Sequence, residues 1–160
     1  MENHYLEQYV RLANVNDIAS LFAIRTSVQE NHLSKKQLID KGITPDALRD
    51  ILSASPCAWI AEIAGNPIGF SMADMEQSSI FALFVRPEFA GQGFGKILLT
   101  KAETFLFQQY KKIWLTTDAA SRACGFYQKL GWLPVENLQN GEIRLEKLIN
   151  IINLIILLVI

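Results

Sequence analysis

The chain reads as a mixed α/β (α+β) protein built on one sheet. Three observations predict this. Residues 14–53 carry helix-period segments with helix-start signals. Residues 57–85 form a meander of apolar runs separated by turn residues. From there strand, helix, strand, helix and two late strands alternate. The 160 residues fit one domain better than two, here residues 1–147, followed by an apolar extension over 148–160. A chain of this size buries roughly 70% of the surface that its unfolded form exposes.

The elements follow in order. Gln8 to Leu12 alternates enough for a short strand. Asn14 or Asn16 caps a helix through about Val28, with Ile18, Leu21, Phe22 and Arg25 on one face. Ser34 caps a short helix ending near Lys41-Gly42. Thr44-Pro45-Asp46 combines an N-cap, a proline at the first helical position and an acid at the positive end of the helix dipole. That helix ends near Leu52 or Ser53. Cys57 to Ile63 and Ile68 to Asp74 read as antiparallel strands turned by Gly65-Asn66-Pro67, and Ser78 to Val85 as a third strand stopped by Arg86-Pro87. A long helix is expected from about Gly93 to Gln109, a strand over Lys112 to Thr117, and a helix from Ala119 to Leu130 ended by Gly131. Trp132 to Asn137 and Glu142 to Lys147 are the last strands, turned by Asn140-Gly141.

Composition removes some functions. A net charge of −1 argues against a nucleic-acid binder that relies on a broad basic face. Cys57 and Cys124 form no CxxC pair and read as reduced, buried thiols, and no His near Cys124 supports a nucleophile there. His4 and His32 lack metal-ligand spacing, so no metal is expected. Met1-Glu2-Asn3-His4 is polar and does not read as a signal peptide, which makes the cytoplasm the expected location. The apolar run from Leu148 to Ile160 is shorter than a membrane span and is interrupted by Asn150 and Asn153. Its β-branched richness predicts a strand, or a contact with a second copy in a homodimer.

The chemistry concentrates in Ala90-Gly91-Gln92-Gly93-Phe94-Gly95-Lys96, between a strand and a helix. Glycine at every second position lets backbone N–H groups converge on an anion, and the following helix adds its positive end. A pyrophosphate suits such a turn, with Lys96 adding a charge. The pattern is neither a Walker A loop, since Ile97 follows Gly95-Lys96, nor a Rossmann GxGxxG.

The stretch from Ile80 to Trp132 resembles the GNAT superfamily of N-acetyltransferases. The resemblance rests on Phe81-Ala82-Leu83-Phe84-Val85, on Gly91-Gln92-Gly93-Phe94-Gly95, on Ile113-Trp114-Leu115-Thr116-Thr117 and on Gly125-Phe126-Tyr127 before Gly131-Trp132. Two places depart from the family pattern: Ala90 stands where Gln or Arg is usual in the turn, and Ala120 where an Asn is often found.

The resemblance implies a mostly antiparallel, twisted sheet of about six or seven strands. Helices would cover both faces, and a central parallel strand pair would splay. It further implies acetyl-CoA as cosubstrate, with the pantetheine arm on the backbone of Phe84 and Val85 and the pyrophosphate on residues 90–96. An amine, small or peptidic, would attack the thioester directly, and Tyr127 falls where the family's general acid commonly sits. The alternative for Tyr127 is simple packing beside Phe126. Glu30, Asp74, Glu76 and His32 are the candidates for the base, Glu30 first. The competing reading is a coenzyme A-binding regulatory module without turnover.

Overall fold

The computed structural model describes residues 4–159. The elements are α1 (His4–Glu7), β1 (Val10–Leu12), α2 (Ile18–Ser27), α3 (Lys35–Asp40), α4 (Pro45–Ala54), β2 (Ala58–Ile63), β3 (Asn66–Asp74) and β4 (Ser79–Val85). They continue with α5 (Phe94–Phe107), β5 (Lys112–Asp118), α6 (Arg122–Lys129), β6 (Leu133–Asn137), β7 (Glu142–Leu148) and α7 (Ile151–Val159). The seven strands form a mixed sheet in the order β1-β2-β3-β4-β5-β7-β6. The pairs β1/β2, β2/β3, β5/β7 and β6/β7 are antiparallel. The pair β4/β5 is parallel, with Ser79 opposite Trp114. The expected α/β sheet with its central parallel pair is therefore present.

The caps explain why the early helices start where they do. Asn14 caps the 3-10 turn Val15–Asp17 that leads into α2: it accepts from the Asn16 N–H at 2.9 Å, and Asp17 accepts from the Asn14 N–H at 2.8 Å. Ser34 and Gln37 satisfy each other's backbone N–H in a capping box. Thr44 accepts from the Ala47 N–H at 3.1 Å, with Pro45 at the first helical position.

Three local expectations change. The β2–β3 turn is Ala64-Gly65, not Gly65-Asn66-Pro67. Ala64 and Gly65 take φ of 50° and 79°, the two successive left-handed residues that a tight hairpin uses. Asn66 and Pro67 then pair with Ile63 and Glu62, Pro67 lying where the register shifts. Helix α6 begins at Arg122, because Asp118 and Ser121 turn the chain first: Asp118 Oδ1 accepts from the Ala120 N–H at 2.8 Å, and Ser121 Oγ caps the Cys124 N–H at 3.2 Å. The apolar tail is a helix from Ile151 to Val159 rather than a strand. Asn150, a residue type favoured at helix starts, precedes it, and a helix satisfies its own backbone without a neighbouring strand.

The described residues group into two compact units. One comprises residues up to Ala73 together with Phe81–Ala102, the other Asp74–Ile80 with residues from Glu103 onward. In the first, Ile18, Leu21, Phe22, Ile24, Leu38 and Leu48 pack against Ala58, Ile60, Phe70, Met72 and Ala82. Strand alternation sends Phe70 and Met72 to that face and Gly69 and Ser71 to the opposite one. There Ser71 Oγ donates to the Leu98 carbonyl of α5 at 2.8 Å. Helices thus cover both faces of β3. In the second unit, Ile113, Leu115, Leu145 and Trp132 are buried. Glu103 accepts from Trp132 Nε1 at 3.0 Å and from Lys147 Nζ at 3.0 and 3.1 Å.

Buried Asp17 joins the start of α2 to β1 and β2. Arg11 donates to both Asp17 oxygens, at 2.8 and 2.9 Å, and its Nε donates to Glu62 at 3.0 Å. Chiefly the Arg11 hydrogen bonds, with the Asn14 N–H as a smaller aid, hold the Asp17 carboxyl below the usual carboxylate range against the opposing effect of burial. A depressed native pKa gives stability that is present above the unfolded value, about 4, and is lost as pH falls through the lower native value. Asp17→Asn is expected to cost about 1–3 kcal/mol at pH 7 in denaturant unfolding. It should also flatten the fall in stability of the wild type below about pH 4.

Candidate functional site

Strand β4 is fixed where it leaves the sheet. The Arg86 N–H donates to the Ile68 carbonyl at 2.7 Å, and its Nε donates to the Pro67 carbonyl at 3.0 Å. Arg86 therefore ties the end of β4 to β3. Pro87–Phe89 makes one short 3-10 turn, closed by the Ala90 N–H on the Pro87 carbonyl at 3.2 Å. Gly91 and Gly93 follow with φ of 76° and 96°, and α5 starts at Phe94.

That geometry can cradle an anion. Two left-handed glycines on either side of Gln92 swing the backbone around without side chains in the way. A Cβ built on Gly91 meets nothing within 4 Å, so this side of the turn is open. A Cβ on Gly93 stands 3.2 Å from Leu6 Cδ1, so there the turn backs onto protein. The N–H groups of Phe94, Gly95 and Lys96 belong to the first helical turn, where no intrahelical acceptor precedes them and the helix dipole is positive. Ala90, Gln92 and Lys96 are exposed. Phe94 is buried and packs edge-on against Tyr9, ring centroids 6.4 Å apart, so it offers its backbone only.

Phe84 and Val85 lie just upstream. Gly69 of β3 is the reason they sit so close to α5. A Cβ there would stand 3.0 Å from the Phe84 carbonyl oxygen, 3.0 Å from Leu98 Cδ1 and 3.2 Å from Val85 Cγ2. On the other face the Phe84 ring lies 5.7 Å from that of Phe70. The Arg25 guanidinium stacks 4.4 Å above Phe84, and its Nη2 donates to the Asn31 carbonyl at 3.1 Å. Its Nη1 is buried with no hydrogen-bond partner among the described residues. Burial alone pulls this guanidinium below its ordinary pKa. In the sequence Arg25 reads only as one more residue on a helix face. Its periodicity does not reveal that α2 aims it at Phe84.

The candidate bases differ in their surroundings. Glu30 is exposed, beside Asn31 with its φ of 53°. His32 is exposed, and its Nδ1–H donates to the Val28 carbonyl at 2.9 Å. In the second unit, Asp74 Oδ1 accepts from the backbone of Glu76 and Gln77 at 3.0 and 3.2 Å. Its carboxylate is thus committed to forming the turn before β4. Glu76 is exposed.

Tyr127 lies on α6 in the second unit. It is buried, with its ring edge-on to Phe126 at 5.4 Å and to Trp132 at 6.0 Å. Its carbonyl accepts from the N–H groups of Leu130 and Trp132, which closes the helix before Gly131. Burial pushes its phenol above the ordinary value of 10.0, so it stays protonated at neutral pH. Packing fixes this side chain whatever chemistry it does. Trp132 is core, and Trp114 is half-buried, donating through Nε1 to the Gln77 carbonyl at 2.7 Å.

Among the described residues no group of three or more His, Cys, Asp or Glu side chains is placed to hold a metal ion. Nor is any helix long and apolar enough to cross a membrane.

Comparison with known proteins gives the family and the fold. Residues 17–132 match the model of the acetyltransferase (GNAT) family. An uncharacterised N-acetyltransferase of Methanocaldococcus jannaschii is 29% identical over 101 residues, which is 56% of this chain and 44% of that relative. The match thus spans less than half of the relative's length. Among solved structures, the PaiA N-acetyltransferase of Thermoplasma acidophilum, in complex with coenzyme A, superposes with a TM-score of 0.73 at 18% identity, over 88% of this chain and 98% of that one. An N-acetyltransferase of Staphylococcus aureus superposes with a TM-score of 0.71 at 19% identity, over 87% and 96% of the two chains.

Gly93→Ala tests the turn. A Cβ at a φ of 96°, 3.2 Å from Leu6, should cost about 1–3 kcal/mol of stability. Gly91→Ala at 76°, with nothing within 4 Å, should cost less. Thermal melting of the two variants side by side checks the order.

Proposed function

The chain belongs to the acetyltransferase (GNAT) family, and on that footing we propose that it moves an acetyl group from acetyl-CoA to a primary amine. The observation that carries this reading is the cradle at Gly91–Lys96, two left-handed glycines leading into the N-terminus of a 14-residue helix. Acetyl-CoA supplies an acetyl group activated as a thioester. The backbone N–H groups from Gly91 to Lys96 hold its pyrophosphate, and Lys96 adds a mobile charge. Ala90 gives no side-chain help, so recognition rests on the backbone. The exposed edge of the turn has room for phosphate oxygens, as the empty surroundings of a Gly91 Cβ indicate. The backbone of Phe84 and Val85 orients the acyl arm, and an N–H on that strand polarises the thioester carbonyl.

The amine nitrogen attacks that carbon directly, forming the C–N bond. The C–S bond breaks, and the sulfur leaves with the electron pair. Tyr127 gives its phenol proton to the sulfur and recovers one from solvent. The amine's surplus proton leaves through Glu30 or through water. No covalent link to the protein forms, so positioning supplies much of the rate. The raised phenol pKa guarantees the proton is there to give. It also makes the transfer uphill, since a thiol's reference value is about 8.5. Tyr127 therefore passes its proton over only as charge builds on sulfur, and reprotonation from solvent completes the transfer. The reading favours a cytoplasmic enzyme in which residues 1–147 are one acetyltransferase domain. It leaves the helical tail as a surface for a second copy.

Tyr127→Phe should lower kcat about 100-fold and leave the KM for acetyl-CoA within about twofold. Thiol release measured across an amine panel checks this, and unchanged kcat would remove Tyr127 from the chemistry. The alkaline limit set by Tyr127 should lie above pH 10, because its phenol titrates above its ordinary value. Tight binding of acetyl-CoA with no amine-dependent thiol release would instead identify a binding module.

A further inference from the structure

Arg25 carries more than its place on α2 requires. Its guanidinium is half-buried and lies 4.4 Å above the Phe84 ring. Nη2 is used by the Asn31 carbonyl at 3.1 Å. Nη1 is fully buried and has no hydrogen-bond partner among the described residues. A guanidinium cannot escape this by losing its proton. The Phe84 ring, 4.4 Å from the guanidinium carbon, attracts the charge but offers no oxygen or nitrogen acceptor. Leaving a buried donor unmade is costly, so such a group is retained where something completes it. An anionic oxygen completes it best, because charge-assisted hydrogen bonds are the stronger kind.

We propose that Arg25 is a specificity-determining residue that binds a carboxylate carried by the acceptor amine. This rests on the reading above that Phe84 and Val85 orient the acyl arm, which puts the Arg25–Phe84 stack beside the reacting carbon. The acceptor class is then an amine that also bears a carboxylate: an amino acid, or a peptide with a nearby free carboxylate. Simple polyamines and cationic amines without a carboxylate fall outside it. Arg25 touches the acceptor away from the reacting nitrogen, so it acts on acceptor binding rather than on the bond-making step.

The test uses the full chain and pairs of amines that differ only in charge, free amino acids and dipeptides against their C-terminal amides. The acids should be acetylated with kcat/KM at least about tenfold above the amides. Arg25→Met should raise the KM for the acids about 10- to 100-fold, with kcat and the KM for acetyl-CoA near wild type. Arg25→Lys should recover part of the preference. Equal use of acids and amides would overturn the proposal, as would an Arg25→Met effect confined to the KM for acetyl-CoA.

A second measurement is independent of turnover and of the fold of the variants. In the wild type with coenzyme A, side-chain 15N resonances of Arg25 are followed as N-acetylglycine or N-acetylglycinamide is added. Movement with the acid alone supports a carboxylate site, and no movement, or the same movement with both, refutes it. Failure of every amine to release thiol would count against the transferase reading, while this titration still decides the role of Arg25.

Discussion

The close approach of β3 to β4 at Gly69 is the constraint on which the first unit depends. A methyl group there would stand 3.0 Å from both the Phe84 carbonyl oxygen and Leu98 Cδ1, tighter than most real Cβ contacts, so the neighbours would have to give way. Its absence lets β3, the end of β4 and the first turns of α5 share one packed layer. Ser71 reinforces that layer from the same face of β3 through its hydrogen bond to the Leu98 carbonyl. Arg86 closes it by bonding back to Pro67 and Ile68. With strand end and helix start both pinned, the segment between them has few shapes left. The positive φ angles of Gly91 and Gly93 are how the chain makes that short passage. The shape of the proposed anion cradle is thus a consequence of packing as much as of glycine content.

Opposite that layer, Phe84 joins the α2–α4 core and meets Arg25. Two neighbouring residues of β4 therefore serve different surroundings by strand alternation: Val85 faces α5 and Phe84 faces α2. The backbone between them is the proposed track for the acyl arm. This arrangement would join the proposed cofactor element and the proposed acceptor element through one strand. Tyr127 of α6 is held by a different set of contacts, its aromatic packing with Phe126 on the same helix and with Trp132 just beyond it.

Much of this was legible in the sequence for identifiable reasons. Asn14, Ser34 and Thr44-Pro45 act as start signals through their own side chains and rings, and each does so in the structure. The glycine turn was legible because positive φ at the start of a helix demands glycine. Features that depend on neighbours were not. Nothing local says that Ala64 takes a φ of 50°, which moves the hairpin turn by a residue. Apolar β-branched residues suggest a strand from Leu148 onward, yet Ile151–Val159 closes its hydrogen bonds within itself as a helix. Arg25 fits a helical period like any other position, and only packing shows its buried, unpaired Nη1. Asp74 reads as an available acid, and only its two backbone partners show that it is a turn former.

On the proposed function, backbone N–H groups at the β4–α5 turn bind the cosubstrate's pyrophosphate. Backbone amide chemical shifts, followed as coenzyme A is added to the full chain, test this most directly. Saturable shifts that are largest from Gly91 to Lys96, with smaller ones at Phe84 and Val85, are the expected result. Saturable binding that leaves Gly91–Lys96 unmoved would contradict it.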